Sequence, residues 1–124
     1  MLDQRQVAQL LNLATMDPAR MARVVEDFIA GAARRLDELV AVADRDGPAA
    51  LLAHAHALKG NSASFGAHRV AALCVRLEVA GRAADAPGAT ETLEALEVEL
   101  VAAARALRRT FGLTPGGDPA HHLS

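Results

Sequence analysis

The sequence predicts an all-α protein, an antiparallel up-down four-helix bundle with a short additional N-terminal helix. Three observations predict it. Hydrophobic residues fill 52% of the 124 positions, yet only 2% are aromatic and Trp and Tyr are absent. Much of that apolar content is Ala, Leu and Val, which suits closely packed helices better than a sheet. Apolar residues recur at three- and four-residue steps, the helical period. Clusters of Asp, Pro and Gly punctuate the runs and leave only short links, so successive helices are expected to lie antiparallel.

The elements follow in order. Asp3 can cap a first helix over residues 3–15, with Val7, Leu10, Leu11 and Ala14 at helical spacing. Asp17-Pro18 restarts the chain, Asp as cap and Pro at the first helical position, where a missing N–H costs nothing. The second helix carries a stripe of Met21, Val24, Val25, Phe28, Ala32, Leu36, Leu39 and Val40, and Gly31 inside it is expected to mark a tight helix contact. Asp44-Arg45-Asp46-Gly47-Pro48 ends that helix and opens a third over 48–65, closed by Gly66. A fourth over 67–83 turns Val70, Leu73, Leu77 and Ala80 inward, and Asp85-Ala86-Pro87-Gly88 is expected to break the chain. The fifth, over 89–111, has Leu93, Leu96, Leu100, Val101, Ala104, Leu107 and Phe111 as its stripe and Gly112 as its stop. Its glutamates lie early and its arginines late, as the helix dipole favours. Residues 1–112 are expected to form the bundle and 113–124 a flexible tail.

Composition narrows the function. A formal net charge of −2 gives no support for nucleic-acid binding. No run of roughly 18 uninterrupted apolar residues is present, so no membrane segment is expected. The N-terminus does not read as a signal peptide. The single cysteine, Cys74, excludes an internal disulfide and reads as core packing in a reducing, cytoplasmic setting.

The most chemically loaded stretch is Ala53-His54-Ala55-His56-Ala57-Leu58-Lys59-Gly60-Asn61-Ser62-Ala63-Ser64-Phe65-Gly66. At about 100° per residue, Leu51, His54, Leu58 and Phe65 share one side of the third helix. His56 falls on the opposite side with Leu52, Ala53, Lys59, Gly60 and Ala63. It is therefore expected to be exposed among small neighbours. Gly60, one turn on, leaves the imidazole uncovered at a cost in helix propensity, a sign that something approaches closely. Lys59 is the only lysine among thirteen Lys and Arg residues. A compact ammonium beside His56 suits phosphate oxygens.

These residues resemble the histidine-containing phosphotransfer (HPt) domain of bacterial multistep phosphorelays. His56-Ala57-Leu58-Lys59-Gly60-Asn61-Ser62-Ala63-Ser64-Phe65-Gly66-Ala67 is similar to the family's H-x-L-K-G-x-S-x-x-hydrophobic-G-A pattern, and Leu73-Cys74-Val75-Arg76-Leu77-Glu78 with Gly81-Arg82 to its L-C-x-x-L-E-x-x-x-R pattern. The resemblance covers about residues 3–111. It implies that His56 accepts a phosphoryl group on Nε2 from a receiver aspartyl phosphate and passes it to a second receiver. It also implies that Lys59 holds the phosphate charge and that Glu78 holds Nδ1–H, directly or through water. Gly60, Leu52, Ala53 and Ala63 would form the docking face. Response-regulator receiver domains, and a hybrid sensor histidine kinase, are the implied partners. No cofactor is expected on this chain, Mg²⁺ being supplied in the receiver's acidic pocket. Asn61 departs from the smaller residue often found at its place, but points away from His56.

The remaining polar residues read more plainly. His54-x-His56 does not make a metal pair, because helical residues two apart diverge. His54 reads as partly buried structure, His68 as solvated, and His121 and His122 as inert tail residues. Ser62 is expected to bond back to the preceding turn. With no Gly-rich phosphate loop, autonomous kinase activity is not expected. Two other functions stay open: a helical domain that binds receivers without exchanging phosphate, and the phosphate-accepting domain of a chemotaxis-type kinase.

Overall fold

The computed structural model describes residues 2–113, and those residues contain five α-helices and no strand. They are α1 (Gln4–Met16), α2 (Pro18–Asp46), α3 (Leu52–Ser64), α4 (His68–Arg82) and α5 (Ala86–Thr110), with a 3-10 turn at Pro48–Leu51 before α3. Of the expected tail, 113–124, the residues from 114 onward, with His121 and His122, lie outside the described residues.

Three aspartates start three helices by the same chemistry, a carboxylate accepting from first-turn N–H groups that have no partner inside the helix. Asp3 accepts from the N–H of Arg5 at 3.0 Å and Gln6 at 3.3 Å. Asp17 accepts from Arg20 N–H at 3.0 Å, with Pro18 in the first turn. Asp85 accepts from Gly88 N–H at 3.0 Å. The last corrects the reading of Asp85-Ala86-Pro87-Gly88 as a break before a helix at 89. Asp85 is the cap and Pro87 sits in the first turn, so α5 starts three residues earlier.

Gly66 ends α3 in a left-handed conformation, φ +73°, and its carbonyl accepts from Asp3 N–H at 2.6 Å. A Cβ there would lie 3.1 Å from the Asp3 carbonyl oxygen. One glycine thus closes α3 and lets the start of α1 dock against that corner.

The larger buried cluster is built from α2, α3, α4 and α5, with Leu36, Leu39, Leu58, Cys74, Leu77 and Leu96 near its centre. A second cluster of Leu10, Met21, Val25, Ile29, Ala104 and Leu107 joins α1 to one end of α2 and α5. Phe28 and Phe65 stack between α2 and the end of α3, ring centres 4.4 Å apart. Arg108 is buried and grips Glu26 with two bonds, Nε to Oε1 at 2.8 Å and Nη2 to Oε2 at 3.1 Å, joining α5 to α2.

Two expectations for α2 need correction. Val24 and Val40 are exposed while Ile29 and Ala33 are buried, so the buried stripe runs on a different track. A 29-residue helix meets α1, α5, α3 and the 3-10 turn along its length, and no single face serves all of them. Gly31 is not at a tight contact, since a Cβ there would meet only the Arg34 side chain, at 3.8 Å. The close approach is at Gly81, where a Cβ would lie 2.9 Å from the Pro48 carbonyl oxygen and 3.3 Å from Leu52.

Candidate functional site

Helix α3 packs Ala55, Leu58 and Ser62 inward, and this choice fixes what faces out. His56, Ala53, Gly60 and Ala63 are exposed, while Leu52 and Lys59 are half-buried at the border with α4. The His56 side chain is 77% exposed and Glu78, on α4, is only 8% exposed.

Glu78 is where the site converges. Its Oε1 lies 2.9 Å from Lys59 Nζ and 4.0 Å from His56 Nδ1, and its Oε2 takes Arg82 Nη2 at 3.3 Å. The Lys59 ammonium holds the Glu78 carboxyl below the usual carboxylate range, with help from the Arg82 and His56 charges and against burial. One turn earlier, burial foremost, with the Glu78 charge adding to it, pushes the Cys74 thiol up to about 12. Cys74 is thus a packed, unreactive thiol, as its place in the core implies.

The resemblance implies a site of His56, Lys59, Gly60 and Glu78; in the structure His56 and Lys59 of α3 lie near Glu78 of α4, and Gly60 is exposed on α3. Lys59 lies against Glu78, its Nζ 2.9 Å from Oε1. A Cβ at Gly60 would meet nothing within 4 Å, so nothing inside the molecule demands glycine there. Leu52 packs toward Gly81 and so serves the α3–α4 contact as well as the outer face. Arg82 enters the site through Glu78 Oε2, 3.3 Å from its Nη2. Its spacing of four residues from Glu78 is the signal that gives it a role.

The second histidine behaves differently. His54 is half-buried on the α2 side, with Nδ1 2.9 Å from Arg35 Nη1 and 3.3 Å from Glu38 Oε2. A guanidinium only donates and a carboxylate only accepts, so Nδ1 lies between a donor and an acceptor, and this contact ties His54 to α2. A groove of about 470 Å³ opens beside it between α2 and α3, lined by Phe28, Gly31, Asn61 and Phe65 among others. Asn61 is exposed and turned toward this groove, away from His56. His68 is exposed. Ser62 corrects another expectation: its hydroxyl is buried without a partner, and Ser64 instead donates back to the Gly60 carbonyl at 3.1 Å. Among the described residues no group of three or more His, Cys, Asp or Glu is placed to hold a metal ion. No helix among them is long and apolar enough to cross a membrane.

Comparison with known proteins agrees with the all-helical fold. The family model described as "Hpt domain" matches residues 23–110. A solved structure, histidine-containing phosphotransfer protein B (HptB) from Pseudomonas aeruginosa PAO1, is similar with a TM-score of 0.78 at 25% sequence identity. The match covers 90% of this chain and 94% of that one. No curated protein matches the chain.

Proposed function

The chain belongs to the Hpt domain family, and on that premise we propose that His56 is the residue through which it carries phosphate. The protein is a histidine phosphotransfer module of a phosphorelay, and Hpt domains work with receiver domains. The observation that carries the His56 assignment is its pairing with Glu78, an exposed imidazole whose inner nitrogen faces a buried, ionised carboxylate. A carboxylate on that side favours the proton on Nδ1 and leaves the lone pair on Nε2, which faces solvent and an incoming phosphoryl group.

Little else is asked of the protein. Phosphoryl transfer depends on in-line placement and on neutralising charge at the phosphoryl oxygens. Lys59 supplies a cation within one helical turn, and Gly60 leaves the approach open on the same face as Ala53 and Ala63. Leu52 borders that face. In this reading the donor is a receiver aspartyl phosphate, such as that of a hybrid sensor kinase, and the acceptor a second receiver. Mg²⁺ sits in the receiver's acidic pocket. The chain relays phosphate and does not take it from ATP, and it works with receivers in the cytoplasm. The frame is an up-down four-helix arrangement of α2 to α5 with α1 added, a reading supported by the packing of α2 on α3 and α5 and of α4 on α3 and α5.

Incubation with a phosphorylated receiver should place acid-labile, alkali-stable phosphate on this chain. His56→Gln should abolish the label and His54→Gln should retain it. A label that survives His56→Gln would sink the assignment. A chain that binds the receiver yet takes no label would instead be a non-catalytic receiver-binding domain.

A further inference from the structure

Lys59 has two claims on it. To neutralise a phosphoryl group on His56 Nε2 its ammonium must lie against the phosphoryl oxygens, yet it lies 2.9 Å from Glu78 Oε1. The same oxygen is the one nearest His56 Nδ1, at 4.0 Å, so lysine and imidazole compete for it. Arg82 holds the other oxygen at 3.3 Å from a side chain that is itself 65% exposed. A carboxylate this buried needs a cation close by at every stage of the reaction.

Charge moves during transfer in a way that resolves the competition. The Nε2 lone pair forms the N–P bond as the P–O bond of the aspartyl phosphate breaks, and the aspartate leaves with that electron pair. The proton stays on Nδ1, so the ring becomes a cationic phosphoimidazolium and no proton has to depart. Positive charge appears next to Glu78 while the phosphoryl oxygens bring negative charge beyond Nε2. Lys59 is then better placed on the phosphoryl group, and Glu78 better placed on Nδ1–H.

We propose that Glu78 exchanges partners during the reaction: it holds Lys59 in the unphosphorylated protein, then releases it to the phosphoryl oxygens and takes up Nδ1–H of His56. Arg82 stays on Oε2 throughout as a positioning residue that keeps the carboxylate charged and oriented when Lys59 leaves. The inference rests on the His56 assignment above and adds the sequence of pairings around it. The groups facing Glu78 are His56 and Lys59 from α3, and Arg82 and the buried Cys74 thiol from α4.

A carboxylate on Nδ1–H keeps the phosphorylated ring cationic, and the cationic ring is the better leaving group. Glu78→Gln should therefore lengthen the lifetime of phosphohistidine near neutral pH by up to about tenfold, and move the pH below which it becomes labile down by about one unit. Because Lys59 is the only lysine, its reactivity can be read from a single peptide. In the unphosphorylated protein, acetic anhydride should acylate Lys59 several-fold faster in Glu78→Gln than in wild type. Arg82→Ala should shift the lifetime profile in the same direction, and Arg82→Lys should restore it.

The experiment labels each variant with a phosphorylated receiver, removes the receiver, follows phosphate loss from pH 5 to 9, and measures acylation on unlabelled chain. An unchanged lifetime profile or unchanged Lys59 reactivity in Glu78→Gln overturns the exchange. If Glu78→Gln does not fold, Arg82→Ala carries the lifetime readout, and a wild-type profile there overturns it equally. Labelled His56 with no shift removes the exchange alone. Unlabelled His56 in wild type removes the assignment beneath it.

Discussion

Cys74 and Glu78 sit one turn apart on α4 and are pushed in opposite directions by one environment. Burial foremost raises the thiol to about 12 from its ordinary value near 9.0. Unfolding releases that thiol into water, where it ionises first. Its contribution to stability is therefore complete below about pH 9 and is lost as pH climbs toward 12. Tyr is absent, which leaves few other groups to titrate in this range. Cys74→Ala is expected to flatten the alkaline limb of the urea midpoint between pH 9 and 11 relative to wild type, and the difference cancels whatever Lys59 contributes. An identical limb would show that the thiol is not held neutral by the fold. Glu78 has the reverse sign, lowered from 4.5, so its contribution is present above that pH and is lost as pH falls through the lowered value.

At the level of elements, three glycines in helices have three different reasons. Gly81 lets α4 approach the 3-10 turn, and a Cβ 2.9 Å from a backbone oxygen has no flexible neighbour to displace. Gly81→Ala should destabilise by about 1–3 kcal/mol. Gly31 meets no such wall, so Gly31→Ala should stabilise by up to about 1 kcal/mol through helix propensity. Gly60 has open space, and Gly60→Gln should keep or slightly raise the melting temperature while slowing phosphate transfer from a receiver at least about tenfold, since a long side chain obstructs docking. Thermal melts together with transfer rates check all three. Unchanged transfer in Gly60→Gln would place the docking face elsewhere. From sequence these glycines look alike, and the close contact expected at Gly31 lies at Gly81 instead. Propensity reports only the cost of a glycine, whereas its reason lies in the distance to another element.

For the molecule as a whole, the Arg108–Glu26 clamp ties the last helix to the second across 82 positions. Losing Arg108 leaves Glu26 half-exposed, so the cost is less than for a fully buried pair. Arg108→Ala should cost about 1–3 kcal/mol and lower the melting temperature by several degrees. Transfer through His56 should persist, because the clamp lies in neither α3 nor α4. A melt unchanged from wild type would mean that the pair adds nothing to the α2–α5 contact. Sequence position marks Arg108 only as a cation near a helix C-terminus, since its partner is too far along the chain for any local pattern to name.

The sequence by itself determined what local physics governs: five helices, the Asp3 and Asp17 caps, the stop at Gly66, and the exposure of His56 with Lys59 and Gly60 around it. Each depends on residues within a turn or two of one another, where periodicity and capping are read directly. Tertiary structure decided where two helices meet. It rotated the stripe of α2, moved the start of α5 to Ala86, left the Ser62 hydroxyl without a partner among the described residues, and gave Lys59 to Glu78. That last pairing follows from the side-by-side packing of α3 and α4, because a lysine's direction depends on which charge the neighbouring helix brings within reach.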